Sequence, residues 1–278
     1  MISIYLSCLF IAFATALPRV DKYDTSLENY EIMAEIEEYL LQFSDYQKPQ
    51  ELTSFWESDS YKDSLIGAKR ELGLEENTEI TSEFLDLIRQ DRCGNSESKE
   101  SLAFSAVLKW PNKNDITYCI DYDNLHPTIP VSKQVGIFEQ GLIDWNKYAN
   151  FKVRRVAFPK GYTKFWKFQL ACGIAFRFAP KYHDYMHSGS NYNFDGRGKV
   201  LAHATLPQDG DIHYDMAEPW ATDGSSGTKD LYSVTIHELG HSLGLAHSRE
   251  RSAVMYPIYG YKKKISSDDI NGIRALYG

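Results

Sequence analysis

The segment HELGHSLGLAHS, residues 237–248, holds the densest set of reactive side chains in the sequence. His237 and His241 are four residues apart. On a helix that spacing puts both imidazoles on one face, one turn apart, where they can share an ion. Gly244 has no Cβ and can take the left-handed conformation that ends a helix. The chain can then turn back and deliver His247 as a third ligand. Three neutral imidazoles suit Zn²⁺ and leave a fourth tetrahedral position open, as catalysis requires. Glu238, beside the first ligand, is placed to take a proton from water that the ion acidifies and to pass it to a leaving amine. The implied chemistry is metal-assisted hydrolysis, with Glu238 as general base and then general acid. Three histidines on a buried helix need no metal, but the added Gly244 and His247 favour one.

The elements that must position this segment can be read around it. Residues 229–243 read as the helix that carries it, and Met255 as an apolar floor beneath the metal. Strands are expected at 115–121, 151–156 and 172–179, and short strands or ordered loops at 200–206 and 211–215. Val135, Phe138, Leu142 and Trp145 give residues 131–149 one apolar helical face. Ser266 or Ser267 caps a last helix through Leu276. Upstream, helical spacing recurs at 27–43 (Met33, Ile36, Leu40, Phe43), 62–72 (Leu65, Ala68, Leu72) and 79–90 (Phe84, Leu87, Ile88). A polar stretch at 93–101, CGNSESKES, reads as a linker. The fold class is α+β, behind a small three-helix unit.

Composition narrows the setting. The chain of 278 residues is 43% apolar and 24% charged, as an ordinary globular protein is. Residues 1–16 carry no charge and end in Ala14-Thr-Ala16, a secretory signal pattern. Secretion to an extracellular setting is therefore expected, with no membrane span and no nucleic-acid partner. Residues 17–101 hold 9 basic and 21 acidic side chains, and residues 102–278 hold 21 basic and 17 acidic. Such a contrast fits two units that attract each other, or two solvated surfaces. Beyond the signal stand Cys93, Cys119 and Cys172, an odd number that leaves one thiol to be protected or used.

HExxHxxGxxH with Met255 in SAVMYP is the metzincin pattern. The fuller resemblance is to the matrix metalloproteinases, the matrixins. It is carried by HELGHSLGLAHS, the following MYPIY, FDGRGKVLAHA (194–204), DIHYDMAEPW (211–220), KWP (109–111) and the closing SSDDINGIRALYG. It covers nearly all of residues 102–278 and implies a metzincin catalytic domain with a twisted five-stranded mixed sheet and three helices. AEIEEYLLQFSDY (34–46) resembles a matrixin propeptide, giving the division 1–16 signal, 17–101 propeptide and 102–278 catalytic domain. No hemopexin-like domain follows, so the architecture resembles the minimal, matrilysin-type members.

The resemblance also assigns residues. DRCGNSE (91–97) resembles the cysteine switch PRCGVPD, so the Cys93 thiolate would fill the open zinc position in a latent form, with Arg92 and Glu97 able to pair. Asp91 and Asn95-Ser96 depart from that pattern. A structural zinc would use His187, His203 and His213; the family's aspartate falls on Gly189, with Asp184 as a substitute. Asp195, Asp215 and Glu218, with carbonyls of Gly196, Gly198 and Val200, would hold Ca²⁺, and Asp211 another. Cys119 and Cys172 fall on neighbouring strands, either as a disulfide or as two buried thiols. Peptide substrate would lie beside Leu201 and Ala202, with Pro257 and Tyr259 on the other side. The small Ser233 would leave a deep pocket for Leu, Ile or Met. The implied partners are extracellular matrix proteins as substrates and the chain's own propeptide as inhibitor, acting on a monomer. A folded but idle matrixin domain is the competing reading; the intact Glu238 and three histidines speak against it.

Overall fold

The computed structural model describes residues 27–49, 55–96, 109–158, 172–183 and 193–278. The expected signal and the linker from Glu97 onward lie outside these residues, as do Asp184, His187 and Gly189. Among the described residues no helix is long and apolar enough to cross a membrane.

A mixed sheet forms the frame, built from β1 (Arg92–Cys93), β2 (Ile116–Ile120), β3 (Val153–Arg155), β4 (Ile174–Ala179), β5 (Val200–Ala204) and β6 (Asp211–Asp215). Its order is β1-β5-β6-β4-β2-β3, and only β5 and β6 are antiparallel neighbours. The sheet has six strands where five are expected. The sixth is β1, a two-residue strand from the upstream unit that pairs with the free edge of β5 on one side and bridges Ile258 on the other. A second, two-stranded sheet pairs β7 (Trp220–Ala221) with β8 (Lys229–Asp230).

Helices α1 (Leu27–Phe43), α2 (Asp59–Glu71) and α3 (Ser82–Ile88) form the upstream unit. Ser58 and Thr81 cap α2 and α3, accepting from Tyr61 N and Phe84 N at 3.2 Å each. Ile36, Leu40, Tyr61, Leu65 and Phe84 share a core that extends onto Val200, Tyr256 and Ile258. The charge contrast becomes contact: Glu71 pairs with Arg249 at 3.1 Å, Glu83 with Arg251 at 2.6 Å, and Asp91 with Lys229. The Glu83–Arg251 pair is exposed and worth little by itself. Burial of the shared apolar surface contributes more.

Helix α4 (Val131–Ala149) lays Phe138, Leu142 and Trp145 on the sheet, with Phe138 stacked on Phe176 at 4.7 Å. It stops at Asn150, whose φ of 49° is the left-handed stop. Trp145 Nε1 donates to Ile236 O at 2.8 Å and so fixes α5 (Leu231–Ser242) against α4. α6 (Ser267–Tyr277) starts with a capping box between Ser266 and Asp269. Cys119 and Cys172 are joined in a disulfide, which settles the two readings.

Candidate metal centre

Asp230 caps α5, accepting from Ser233 N at 2.8 Å, and the helix carries His237, Glu238 and His241. Gly244, at φ 104°, reverses the chain and brings His247 back. The three Nε2 atoms then stand 3.1 to 3.2 Å from one another. His237 Nδ1 donates to Val254 O at 2.7 Å and His241 Nδ1 to Leu245 O at 2.8 Å. A carbonyl can only accept, so each Nδ1 holds the proton and each Nε2 points a lone pair at the common centre. Burial holds both imidazoles well below the usual histidine range, hence neutral.

This donor set fits zinc. Nitrogens about 2.0–2.1 Å from a tetrahedral zinc stand about 3.3–3.4 Å apart, close to what is seen here. Cys93 Sγ lies 3.6 Å from His241 Nε2. A thiolate about 2.3 Å from the same ion would stand about 3.6 Å from each nitrogen. Buried Cys93 therefore completes a group of four ligand atoms. Without an ion, burial and the neighbouring Glu238 push the thiol up, and these outweigh the opposing effect of Arg92. The thiolate thus depends on the metal.

Glu238 is buried, and desolvation pushes its carboxyl up to about 8. The Cys93 thiol points at Glu238 Oε2 from 3.6 Å. Met255 lies under the helix, where a Cβ on Gly240 would fall 2.2 Å from its sulfur. Asp269 holds that turn by accepting from Val254 N at 2.8 Å and Met255 N at 3.0 Å. The far end of α5 is tied by Trp110 Nε1, which donates to Ser242 O at 2.9 Å.

The groove over this centre is filled by residues 91–95. Arg92 N donates to Lys199 O at 2.7 Å and Gly94 N to Ala202 O at 2.7 Å. On the other wall Cys93 N donates to Pro257 O at 3.0 Å, and Tyr259 N to Asp91 O at 2.8 Å. Ala202, Pro257 and Tyr259, read from the sequence as the walls for a peptide, thus hold the chain's own strand. Leu201, Ser233, Val234, His237 and Lys262 bound a cavity beside it. Lys262 escapes the sequence reading, and burial pushes its ammonium down to about 8. The Arg92 guanidinium lies 3.8 Å from the Phe43 ring centre and donates to Tyr39 Oη. Glu97, its expected partner, lies outside the described residues.

A second cluster joins His183, His203 and His213, with their ligand atoms within 4.8 Å of one another. His203 and His213 are two of the expected ligands. His183 was missed, and His187 lies outside the described residues. The loop after β4 has no periodicity to show that His183 turns inward. Proximity to the strand end at Ala179 was the usable signal. His183 stacks on Phe194 at 4.8 Å, and burial pushes it down to about 4. Three imidazoles within reach of one ion again fit zinc.

Gly196 and Gly198 form a turn with φ of 101° and 90°, Gly198 N lies against Glu218 Oε1, and the charges of Asp195 and Asp215, and of Asp215 and Glu218, are near enough to interact. Burial raises Asp195, burial with repulsion from Asp195 takes Asp215 up to about 6, and burial with repulsion from Asp91 and Asp215 takes Glu218 up to about 7. Asp215 Oδ2 and Glu218 Oε2 are buried without a hydrogen-bond partner among the described residues. An all-oxygen set with crowded charge fits Ca²⁺. Asp195 Oδ1 accepts from Val200 N at 3.3 Å, closing the turn.

A sequence model of the Matrixin peptidase family matches residues 109–278. Human matrilysin is 37% identical over 207 residues, 72% of this chain and 70% of its own length. The hatching enzyme of Paracentrotus lividus is 50% identical over 118 residues, 38% of this chain and 20% of its own length. Human matrix metalloproteinase-19 is 31% identical over 246 residues, 87% of this chain and 45% of its own length. The chain thus spans less than half of some of these relatives. The family match covers strands β2 to β6, the histidine helix and the Met255 turn, and on that ground the chain belongs to the matrixin family of metalloendopeptidases.

Proposed function

We propose that the protein is a secreted zinc endopeptidase made latent by its own residues 17–101, with extracellular matrix proteins as substrates. The carrying observation is the convergence of three Nε2 atoms and the Cys93 sulfur on one point beside the Glu238 carboxylate. Zinc held by His237, His241 and His247 would acidify water and polarise the scissile carbonyl. Glu238 would accept the water's proton and return it to the leaving amine. Leu201, Ala202, Pro257 and Tyr259 align the peptide as an added strand, and the cavity at Ser233 takes one side chain.

In the latent form Cys93 stands where water must enter, and Arg92, buried against Tyr39 and Phe43, anchors it. His183, His203 and His213 hold a second zinc, and Asp195, Asp215 and Glu218 hold calcium. Both ions would stiffen the loop that feeds the edge strand β5.

The test is cleavage of a quenched fluorescent peptide by the full chain before and after an organomercurial displaces Cys93. Turnover that begins on treatment, stops with chelator and is absent in Glu238→Ala is expected. Equal turnover in Glu238→Ala excludes the mechanism. No turnover by the treated, zinc-loaded parent leaves an idle scaffold.

A further inference from the structure

We propose that Lys229, with the backbone N–H of Lys199, forms a subsite for an acidic side chain in the substrate groove. It selects peptides with a carboxylate about two residues from the one facing the metal. The inference rests on the peptidase reading above and adds a substrate preference to it.

The groove is seen with a ligand in place, the chain's own strand. Asp91 lies two residues before Cys93, roughly 7 Å along an extended chain. Its backbone is held as a peptide's would be, with its carbonyl accepting from Tyr259 N at 2.8 Å. Its side chain is held as well. Oδ1 accepts from Lys199 N at 2.9 Å, and Oδ2 pairs with the Lys229 ammonium. The Lys229 side chain is only 17% exposed and leans over the Tyr259 ring at 5.5 Å. An N–H and a partly desolvated ammonium aimed at one carboxylate make a charge-assisted recognition pair.

When the strand leaves, both donors stay on the walls, because Lys199 precedes β5 and Lys229 lies in β8. The competing acceptor is Glu218, which Lys229 already influences. Its Oε1 accepts from Gly198 N, and calcium at the candidate site would take its Oε2. The ammonium is left facing the groove. An incoming peptide that reproduces the Asp91 carboxylate regains both contacts, whereas an amide in its place regains the N–H contact and loses the ion pair.

The experiment compares matched peptides carrying Asp, Asn or Lys at successive positions on either side of the cleaved bond. The enzyme is the full chain after mercurial displacement of Cys93. At one position kcat/KM for Asp over Asn is expected to be about tenfold. The ratio is expected to fall to near one in Lys229→Met and to invert toward the Lys peptide in Lys229→Glu. The same ratios are read as Kd by fluorescence anisotropy on Glu238→Ala chain treated likewise. An Asp preference in Kd without hydrolysis in the parent keeps the subsite and removes the peptidase reading. A ratio near one at every position, or one that survives Lys229→Met, overturns the proposal.

Discussion

Arg92→Ala tests how the latent strand is held. The Arg92 guanidinium is buried, 3.8 Å from the Phe43 ring centre and 5.2 Å from that of Tyr39. Its Nε donates to the Cys93 carbonyl at 3.0 Å, and it bonds Tyr39 Oη. A desolvated cation over an aromatic face is worth about 2 kcal/mol. A hydrogen bond from a charged donor adds about 1.5–3 kcal/mol. These contributions share one side chain and are not additive, and the guanidinium regains water when the strand lifts. The net loss comes to about 3 kcal/mol, on the order of a hundredfold in the opening equilibrium. The assay is the rate at which a thiol reagent modifies Cys93 in untreated full chain, located by peptide mass mapping. Arg92→Ala is expected to raise that rate on the order of a hundredfold. Arg92→Lys, which keeps the charge and loses the planar fork, should fall between. A rate within about threefold of the parent, in a variant with an unchanged fold, refutes the anchoring argument.

Three other outcomes follow from the same geometry. Replacing Cys119 and Cys172 by serine opens a loop with a sequence separation of 53, and denaturant unfolding should lose about 4 kcal/mol. In calcium-free buffer Asp215 and Glu218 titrate near 6 and 7, above their unfolded values. Their contribution to stability is full below about pH 4 and is lost as pH rises through those folded values. Calcium should restore the melting temperature at pH 7.5 and release protons on binding at pH 6; an ion-independent profile would contradict the carboxylate site. Gly240→Ala drives a methyl group against Met255 and Trp145 and should cost about 1–3 kcal/mol in thermal unfolding. A neutral effect would mean that the floor beneath the helix yields freely.

Sequence reading succeeded where one element alone sets the pattern. The face Phe138, Leu142, Trp145 predicts a helix over 131–149, and the structure has it there. The spacing of His237, His241, Gly244 and His247 is a local property of one helix and its stop, so the convergence of the three histidines was legible. What escaped depends on contacts between distant segments. Strand β1 has two residues, too few for any alternation, and forms between β5 and Ile258, both distant in sequence. His183 is chosen by a loop path that leaves no periodic trace. The pairing of Asp91 with Lys229 joins residues 138 apart, and neither side chain announces the other. The intrusion of Lys262 beside Ser233 has the same origin. The disulfide was left open because a parallel sheet does not fix the Cβ directions; the structure closes it with Cys172 just ahead of β4.

Zinc content by native mass spectrometry is the most direct test of the central claim, that the three converging imidazoles hold a catalytic ion. The full chain is compared with His237→Ala/His241→Ala, whose second histidine cluster is intact. The parent is expected to carry one zinc more than the variant. Equal zinc in the two, or none in the folded parent, would contradict the claim.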